Sequence, residues 1–465
     1  MHKSFAVLAV LALFAAGCGG KSGSASGGAS GATIAPADAL AYVSVNTDEG
    51  SGQWQKADAL LKKFPIRDKL LAQINSGLSQ GVDFNSDIRP LLGPETDFVV
   101  LAPSAAGRVQ FVGLTQPKDA KKFDAALERG SSPSVHMEVD GWTVFSDEQA
   151  ALDTFKTEAE KGKLAGDSTF KDATAGLPAE TNLTAYVNGP QALGALKEGV
   201  PQLGTLPTGQ LQWLALALSS QADAAKLEGA VKTSQAGENF TPTLLSSVPS
   251  GALAVLSFHG NAQLTQQLAQ NPTLAQAAGQ LERALGVSLT ELAALIQDEG
   301  VLYVANGIPF PEVTLVLQEA RPAAAIATLN KLAARLATAL HAKLNTNGRV
   351  KQLNFGSIAV NYGIKGKTVV ISDSSGHIIG PVGTPITEDP VFTKAKNAAG
   401  LPDQSSGFVY LNIKNAVPLI EGFAQASGVS VPPAVVQNLA PLESLLAYAS
   451  SNGDVSKFSV LLSVR

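Results

Sequence analysis

The sequence predicts an α+β protein built as two tandem related halves, each a mainly antiparallel sheet with helices on one face. Three observations predict it: an internal repeat, β-rich runs joined by short turns, and helical spacing between those runs. Pro36, Ala39, Leu40, Ala41 and Ser44 return as Pro249, Ala252, Leu253, Ala254 and Ser257, each 213 positions on. Leu177-Pro178 and Tyr186-Val187-Asn188 return as Leu401-Pro402 and Tyr410-Leu411-Asn412, 224 positions on. Phe145-Ser146-Asp147 matches Ile371-Ser372-Asp373, and Ser219-Ser220 with Asp223 and Lys226 matches Ser450-Ser451 with Asp454 and Lys457. The order is kept while the offset drifts, which reads as a duplication with halves at 35–240 and 241–465.

In the first half a strand is expected over 40–46, between Pro36 and the loop at 49–52. Leu60, Leu61 and Phe64, then Leu70, Leu71 and Ile74, recur every three to four residues and give two short amphipathic helices broken at Pro65. The runs at 97–102 and 108–115 read as a hairpin, and Pro117 opens a helix carrying Phe123 and Leu127. The runs 135–139 and 142–145 flank Asp140-Gly141, a pair that tolerates positive φ at both turn positions. Their counterparts are 358–364 and 367–371. Strands at 184–188 and 408–412 follow, then helical segments, then closing hairpins at 211–219 with 226–232 and at 442–450 with 457–464. Asn452-Gly453 marks the second closing turn; the first lacks such a pair, and 211–217 alternates poorly, so that hairpin rests on the repeat. The Ala-rich helix at 322–340 should cover the second sheet with Ile326, Leu329, Leu332, Leu336 and Leu340.

A chain of 465 residues with 45% hydrophobic and 16% charged residues has enough apolar surface for two cores of about 200 residues each. Its net charge of −5, without a run of lysines or arginines, argues against a nucleic-acid partner. Residues 1–17 read as a lipoprotein signal: Lys3, an apolar stretch at 5–16 too short to span a bilayer, then Ala15, Ala16 and Gly17 before Cys18. Cys18 is the one cysteine in the chain, so it is expected to carry the lipid, and no internal disulfide can form. The two acyl chains of a diacylglyceryl thioether suffice for stable anchoring. Residues 18–34 supply the lipidated cysteine and a tether of Gly, Ser and Ala. No later stretch is apolar for the length of a membrane helix, since even 211–218 is short and carries Gln212. The body is therefore expected outside the cytoplasm, held to the membrane through Cys18.

Motifs with chemical meaning are sparse. Gly77-Leu78-Ser79-Gln80-Gly81 has the spacing of a nucleophile elbow, but the preceding residues have helical spacing, and a helix end closed by glycine explains it. Gly366-Lys367-Thr368 resembles the end of a phosphate loop, yet Asn361 stands where that motif needs glycine, and a strand follows. His136, His259, His341 and His377 are too far apart in sequence to suggest metal-ligand spacing, and His2 leaves with the signal. Asp147 and Asp373, with Glu148, occupy equivalent places after the central hairpins; they could form a cation site, but a Ser-Asp pair before a helix reads first as an N-cap. Tyr186, Asn188, Tyr410 and Asn412 read as strand-end residues repeated by the duplication, and Trp54, Trp142 and Trp213 form no stacking platform. No catalytic, metal or cofactor residue is assigned.

The lipobox, the Gly/Ser tether, the opening Ala35-Pro36-Ala37-Asp38-Ala39-Leu40-Ala41-Tyr42-Val43, and the proline-led entries at Leu177-Pro178-Ala179 and Leu401-Pro402-Asp403 resemble a bacterial family known as domain of unknown function 3352. The resemblance implies an envelope protein without assigned activity and brings no catalytic residue with it. The expected function is a membrane-anchored, non-catalytic protein that binds a partner or an apolar ligand of the cell envelope, with a groove between the halves as the expected site. The alternatives are an envelope hydrolase using Ser79 and a purely structural spacer.

Overall fold

The computed structural model describes residues 30–77, 83–104, 107–128, 134–199, 211–234, 237–260, 279, 282–283, 286–307, 310–356 and 358–465. Residues 1–17, expected to be a signal, Cys18, most of the expected tether and Ser79 lie outside them. Two compact units are present: Met1–Gly237 with Ser430–Leu442 and Ser451–Arg465, and Glu238–Val429 with Glu443–Ser450. The first unit thus takes residues 451–465, which counting along the repeat places in the second half.

In chain order the strands are β1 (Ala41–Asn46), β2 (Glu95–Leu101), β3 (Gln110–Thr115), β4 (Val135–Val139), β5 (Trp142–Ser146), β6 (Leu183–Asn188), β7 (Leu211–Ser220), β8 (Ala224–Thr233), β9 (Ala254–His259), β10 (Glu299–Ala305), β11 (Glu312–Gln318), β12 (Lys343–Asn347), β13 (Val350–Phe355), β14 (Ile358–Lys365), β15 (Thr368–Ser372), β16 (Gly407–Leu411), β17 (Leu442–Asn452) and β18 (Val455–Val464). The first unit pairs them antiparallel in the order β4, β5, β3, β2, β1, β6, β7, β8, β18. The second follows β12, β13, β14, β15, β11, β10, β9, β16, β17, again antiparallel. With its helices this is an α+β fold. Asp140 and Gly141 take φ of 49° and 79°, the turn that joins β4 to β5. The poorly alternating run at 211–217 is a strand, paired along β6 and β8 with a register shift near Leu211.

Helices in the first unit lie against both faces of the sheet, a correction to the expectation of one. The reason is local: β5 is buried throughout, and its consecutive residues Val144 and Phe145 point to opposite sides. Val144 joins the cluster of Tyr42, Val99, Phe155 and Tyr186 under helix Gln149–Lys161, whereas Phe145 joins Phe123 of helix Ala120–Glu128. That second helix begins at Ala120 rather than Pro117, with Asp119 Oδ1 accepting from the Lys122 amide. Helix Gly52–Leu61 also starts earlier than its leucines suggest, because Ser51 caps it by accepting from the Trp54 amide at 3.2 Å. Helix Pro322–Leu340 lies where expected, but its buried stripe is Ala325, Leu329 and Ala333, and Leu340 is 57% exposed.

Each unit repeats one local construction. A 3-10 turn, Ser30–Thr33 or Leu244–Ser247, precedes the central strand and is held by a glutamate that opens the neighbouring strand: Gly31 N–H donates to Glu95 Oε1 at 3.2 Å, and Leu244 N–H to Glu299 Oε1 at 2.7 Å. Asp167 and Asp389 cap helices Ser168–Thr174 and Pro390–Ala399. Those helices carry Phe170 and Phe392, which meet Tyr186 and Tyr410 edge to face at 5.1 Å in both cases. A phenyl ring also covers a cross-strand glycine three times, as Phe145 over Gly113, Phe258 over Gly300 and Phe458 over Gly229; a Cβ on these glycines would meet the ring at 2.3, 2.3 and 2.4 Å.

Two stability tests follow. Asp389 accepts from the Val391 and Phe392 amides, the Gly251 amide and the Ser250 hydroxyl, so Asp389→Ala should lower the unfolding free energy by about 2 kcal/mol, the upper end for a lost cap, in urea melts. Burial alone would raise its pKa, but these bonds outweigh burial and lower it. Its contribution should therefore be complete above the ordinary carboxylate range and fade as pH falls through the lowered value, with the Ala variant showing less acid loss. Gly113→Val should destabilise by about 1–3 kcal/mol through overpacking, and by less with Phe145→Leu in the same chain.

Candidate binding face

One face of the second sheet is apolar across five strands and incompletely covered. Strand register aligns Ala447, Val409, Leu256, Leu302 and Leu315 in one row, and Leu445, Leu411, Ala254, Val304 and Val313 in the next. Period-two alternation accounts for this, because Phe408, Tyr410, Val255, Val301 and Tyr303 take the opposite, buried face. Helix Pro322–Leu340 covers the β11 and β15 end through Leu329 and Ala333 against Leu315 and Ile371. Beyond it Leu256, Val409, Leu411 and Val313 remain 37–45% exposed. None of the ten side chains carries a charge.

Helix Ile413–Ala426 starts two residues after Leu411 and is capped by Asn412 accepting from the Asn415 amide. The helix buries none of its residues, and Ile420 and Phe423 are 62% and 53% exposed. Phe310, three residues before Val313 and 56% exposed, meets Phe423 edge to face at 5.6 Å. Exposed apolar side chains thus occur on the sheet row, and an exposed aromatic pair joins the loop before β11 to the helix after β16.

The residues singled out from sequence fall elsewhere. Asp147 and Asp373 do not cap helices, a correction: helix Gln149–Lys161 begins after Glu148 and helix Gly376–Ile379 after Ser375, neither with a side-chain cap. Asp373 Oδ1 instead accepts from the Val313 amide at 3.0 Å, extending the sheet, and Glu148 pairs with Arg108 at 2.9 Å. The serines before them are engaged with strands, Ser146 donating to the Phe111 carbonyl and Ser372 bonded to Thr314. Gly366, at φ 64°, turns β14 into β15. Asn188 and Asn412 accept from the first turns of the helices that follow them. Trp54, Trp142 and Trp213 are buried, with the Arg89 guanidinium over the Trp54 ring at 5.4 Å.

His377 sits in a polar cluster. Its Nε2 lies 2.7 Å from Glu312 Oε2 and its Nδ1 3.1 Å from the Tyr303 hydroxyl, while Lys365 Nζ donates to the His377 and Gly380 carbonyls. Burial pushes the Tyr303 phenol up. This cluster pins helix Gly376–Ile379 to the sheet. His136 faces Asp124 at 3.4 Å, His259 bonds the Gly260 carbonyl, and His341 ends helix Pro322–Leu340 in the left-handed conformation. Among the described residues no group of three His, Cys, Asp or Glu side chains could hold a metal, and no helix is long and apolar enough to cross a membrane.

Sequence reasoning missed the open face and the buried carboxyl of Asp97, which is fully buried on β2. The signal for Asp97 was present, since alternation places it on the same side as Val99 and Leu101.

No curated protein matches the chain. Among solved structures, three crystal forms of TP0453 are similar in part. Form III is 7% identical over 46% of this chain and 81% of its own, with a TM-score of 0.23. Forms IV and I are 8% and 9% identical over 44% of this chain and 83% and 78% of their own, with TM-scores of 0.24. Likeness at that level carries no argument about fold or function. A family model described as protein of unknown function (DUF3352) matches residues 127–464, well over half of the chain, and the chain belongs to that family.

Proposed function

We propose that this chain is an extracytoplasmic lipoprotein, anchored through Cys18, that binds lipid acyl chains on the open face of its second unit without catalysing a reaction on them. The observation that carries the reading is the row of exposed, uncharged side chains Leu256, Val409, Leu411 and Val313 across the second sheet, with exposed Phe310 and Phe423 paired on the segments that flank it in sequence. Removing such surface from water is favourable in proportion to its area, and acyl chains match its lack of charge. The anchor supports the choice of lipid over other apolar ligands: Ser30 lies twelve positions after Cys18, a contour of at most about 40 Å, so membrane lipid is always at high local concentration. The repeated Glu95 and Glu299 turns and the paired Phe170–Tyr186 and Phe392–Tyr410 contacts support descent of both units from one duplicated ancestor.

Native mass spectrometry of the body from Gly19, purified from its own envelope, should reveal a bound mass of lipid size that organic extraction removes. The triple variant Leu256→Ser, Val409→Ser, Leu411→Ser should lose that mass while keeping its circular dichroism. An empty wild-type body overturns the reading, and a protein of defined mass in place of lipid makes the face a partner interface. Cys18→Ser should move the protein from the membrane to the soluble fraction; retention in the membrane would remove the anchor from the account.

A further inference from the structure

Two carboxyl groups and a phenol converge beneath the turn Ser30–Thr33 in the first unit. Asp97, fully buried on β2, faces Ser44 directly across β1, and Tyr42 lies two residues along on the same side with 1% exposure. Glu95 stands two residues before Asp97 and accepts the Gly31 amide. Gly31 lies against the acid: a Cβ there would come 1.7 Å from Asp97 Oδ2 and 3.1 Å from the Tyr42 hydroxyl. Burial first, and then the Glu95 charge, hold the Asp97 carboxyl well above the usual carboxylate range; burial and the two acids likewise raise Tyr42. Its cross-strand partners, Leu114 on β3 and Ser44 on β1, carry no titratable group.

The second unit supplies an internal control. Register places Val301 where Asp97 stands and Val255 where Tyr42 stands, with Ser257 for Ser44. Glu299 still accepts the Leu244 amide, and the equivalent turn is still seated. The fold therefore needs the glutamate and does not need the buried acid, whose cost must be met by something other than folding.

We infer that Asp97 and Tyr42 form a proton-held latch on the N-terminal turn: with its proton the Asp97 carboxyl keeps Ser30–Thr33 seated, and transfer of that proton to bulk water releases the turn. Release adds four residues, up to about 14 Å of contour, between Cys18 and the first fixed residue of the body. The inference is independent of lipid binding by the second unit. The sign follows from linkage, because the seated state holds a proton that the released state gives up at an ordinary carboxylate value of about 3.9. The latch is thus firmest in acid and weakens as pH rises through the window up to the raised value.

Hydrogen exchange of the intact lipoprotein in detergent, from pH 5 to pH 9 and corrected for intrinsic exchange, tests this on peptides covering 30–40. In the wild type the opening constant of the turn should rise by about tenfold per pH unit within that window, while peptides from β7 stay flat. Asp97→Val, which copies the second unit, and Asp97→Asn should both remove the slope. A flat wild-type profile, or the same slope in either variant, overturns the latch.

Discussion

The double pairing of one strand in each unit is the constraint on which the rest of that unit depends. β1 is hydrogen-bonded along one edge to β2 and along the other to β6, and β9 likewise to β10 and β16. A strand bonded on both edges can shift register only by breaking two ladders, and a one-residue slip would turn its buried face to solvent. Tyr42 and Ser44 in one unit, and Val255 and Ser257 in the other, are fixed inward by this pairing. Each central strand is preceded by a 3-10 turn whose backbone is held by a glutamate from the next strand, so the entry of the chain is set by the same ladder.

On that similar frame the units differ where the frame is indifferent. The first carries an acid and a phenol where the second carries two valines. The second carries Tyr303 opposite Thr314 in its β10 and β11 pairing, where the corresponding ladder of the first pairs Val99 with Val112. Around Tyr303 it has gathered Glu312 and His377 into a polar cluster. The buried polar groups thus sit in different spots in the two units, those around Tyr303 bonded to one another. The open apolar face follows the same logic: in the first unit the corresponding side chains Val43 and Ala185 pack with Val45, Phe98 and Leu183 in a cluster, whereas Leu256 and Val409 of the second remain in part exposed.

Much of the fold was legible because it is written in local signals. Asp140-Gly141 marks a hairpin through its positive φ values, and Pro322 opens a helix whose period is unbroken to Leu340. The hairpin of β12 and β13 went unread although Asn347-Gly348 announces it, because the flanking run from Lys343 is polar and exposed and so lacks the alternation of a half-buried strand. Asp147 and Asp373 misled because the serine before each looks like a cap in sequence, while tertiary bonds to Phe111 and Thr314 hold those side chains in the sheet. The open apolar face is not a local property at all. Leu256, Val409 and Val313 alternate correctly as strand residues, and only the coverage of the sheet by its helices separates an open face from a buried one.

The three glycines roofed by phenylalanines have an evolutionary consequence. Each pair joins two sites distant in sequence, such as Gly113 with Phe145 and Gly229 with Phe458, so that neither can change freely while the other stands. A larger residue at the glycine requires a smaller one at the ring, and a lost ring leaves a gap that a side chain on the glycine would fill. Each pair is therefore constrained as a unit by sterics, unlike the valines and leucines around it, which can exchange for one another at little cost.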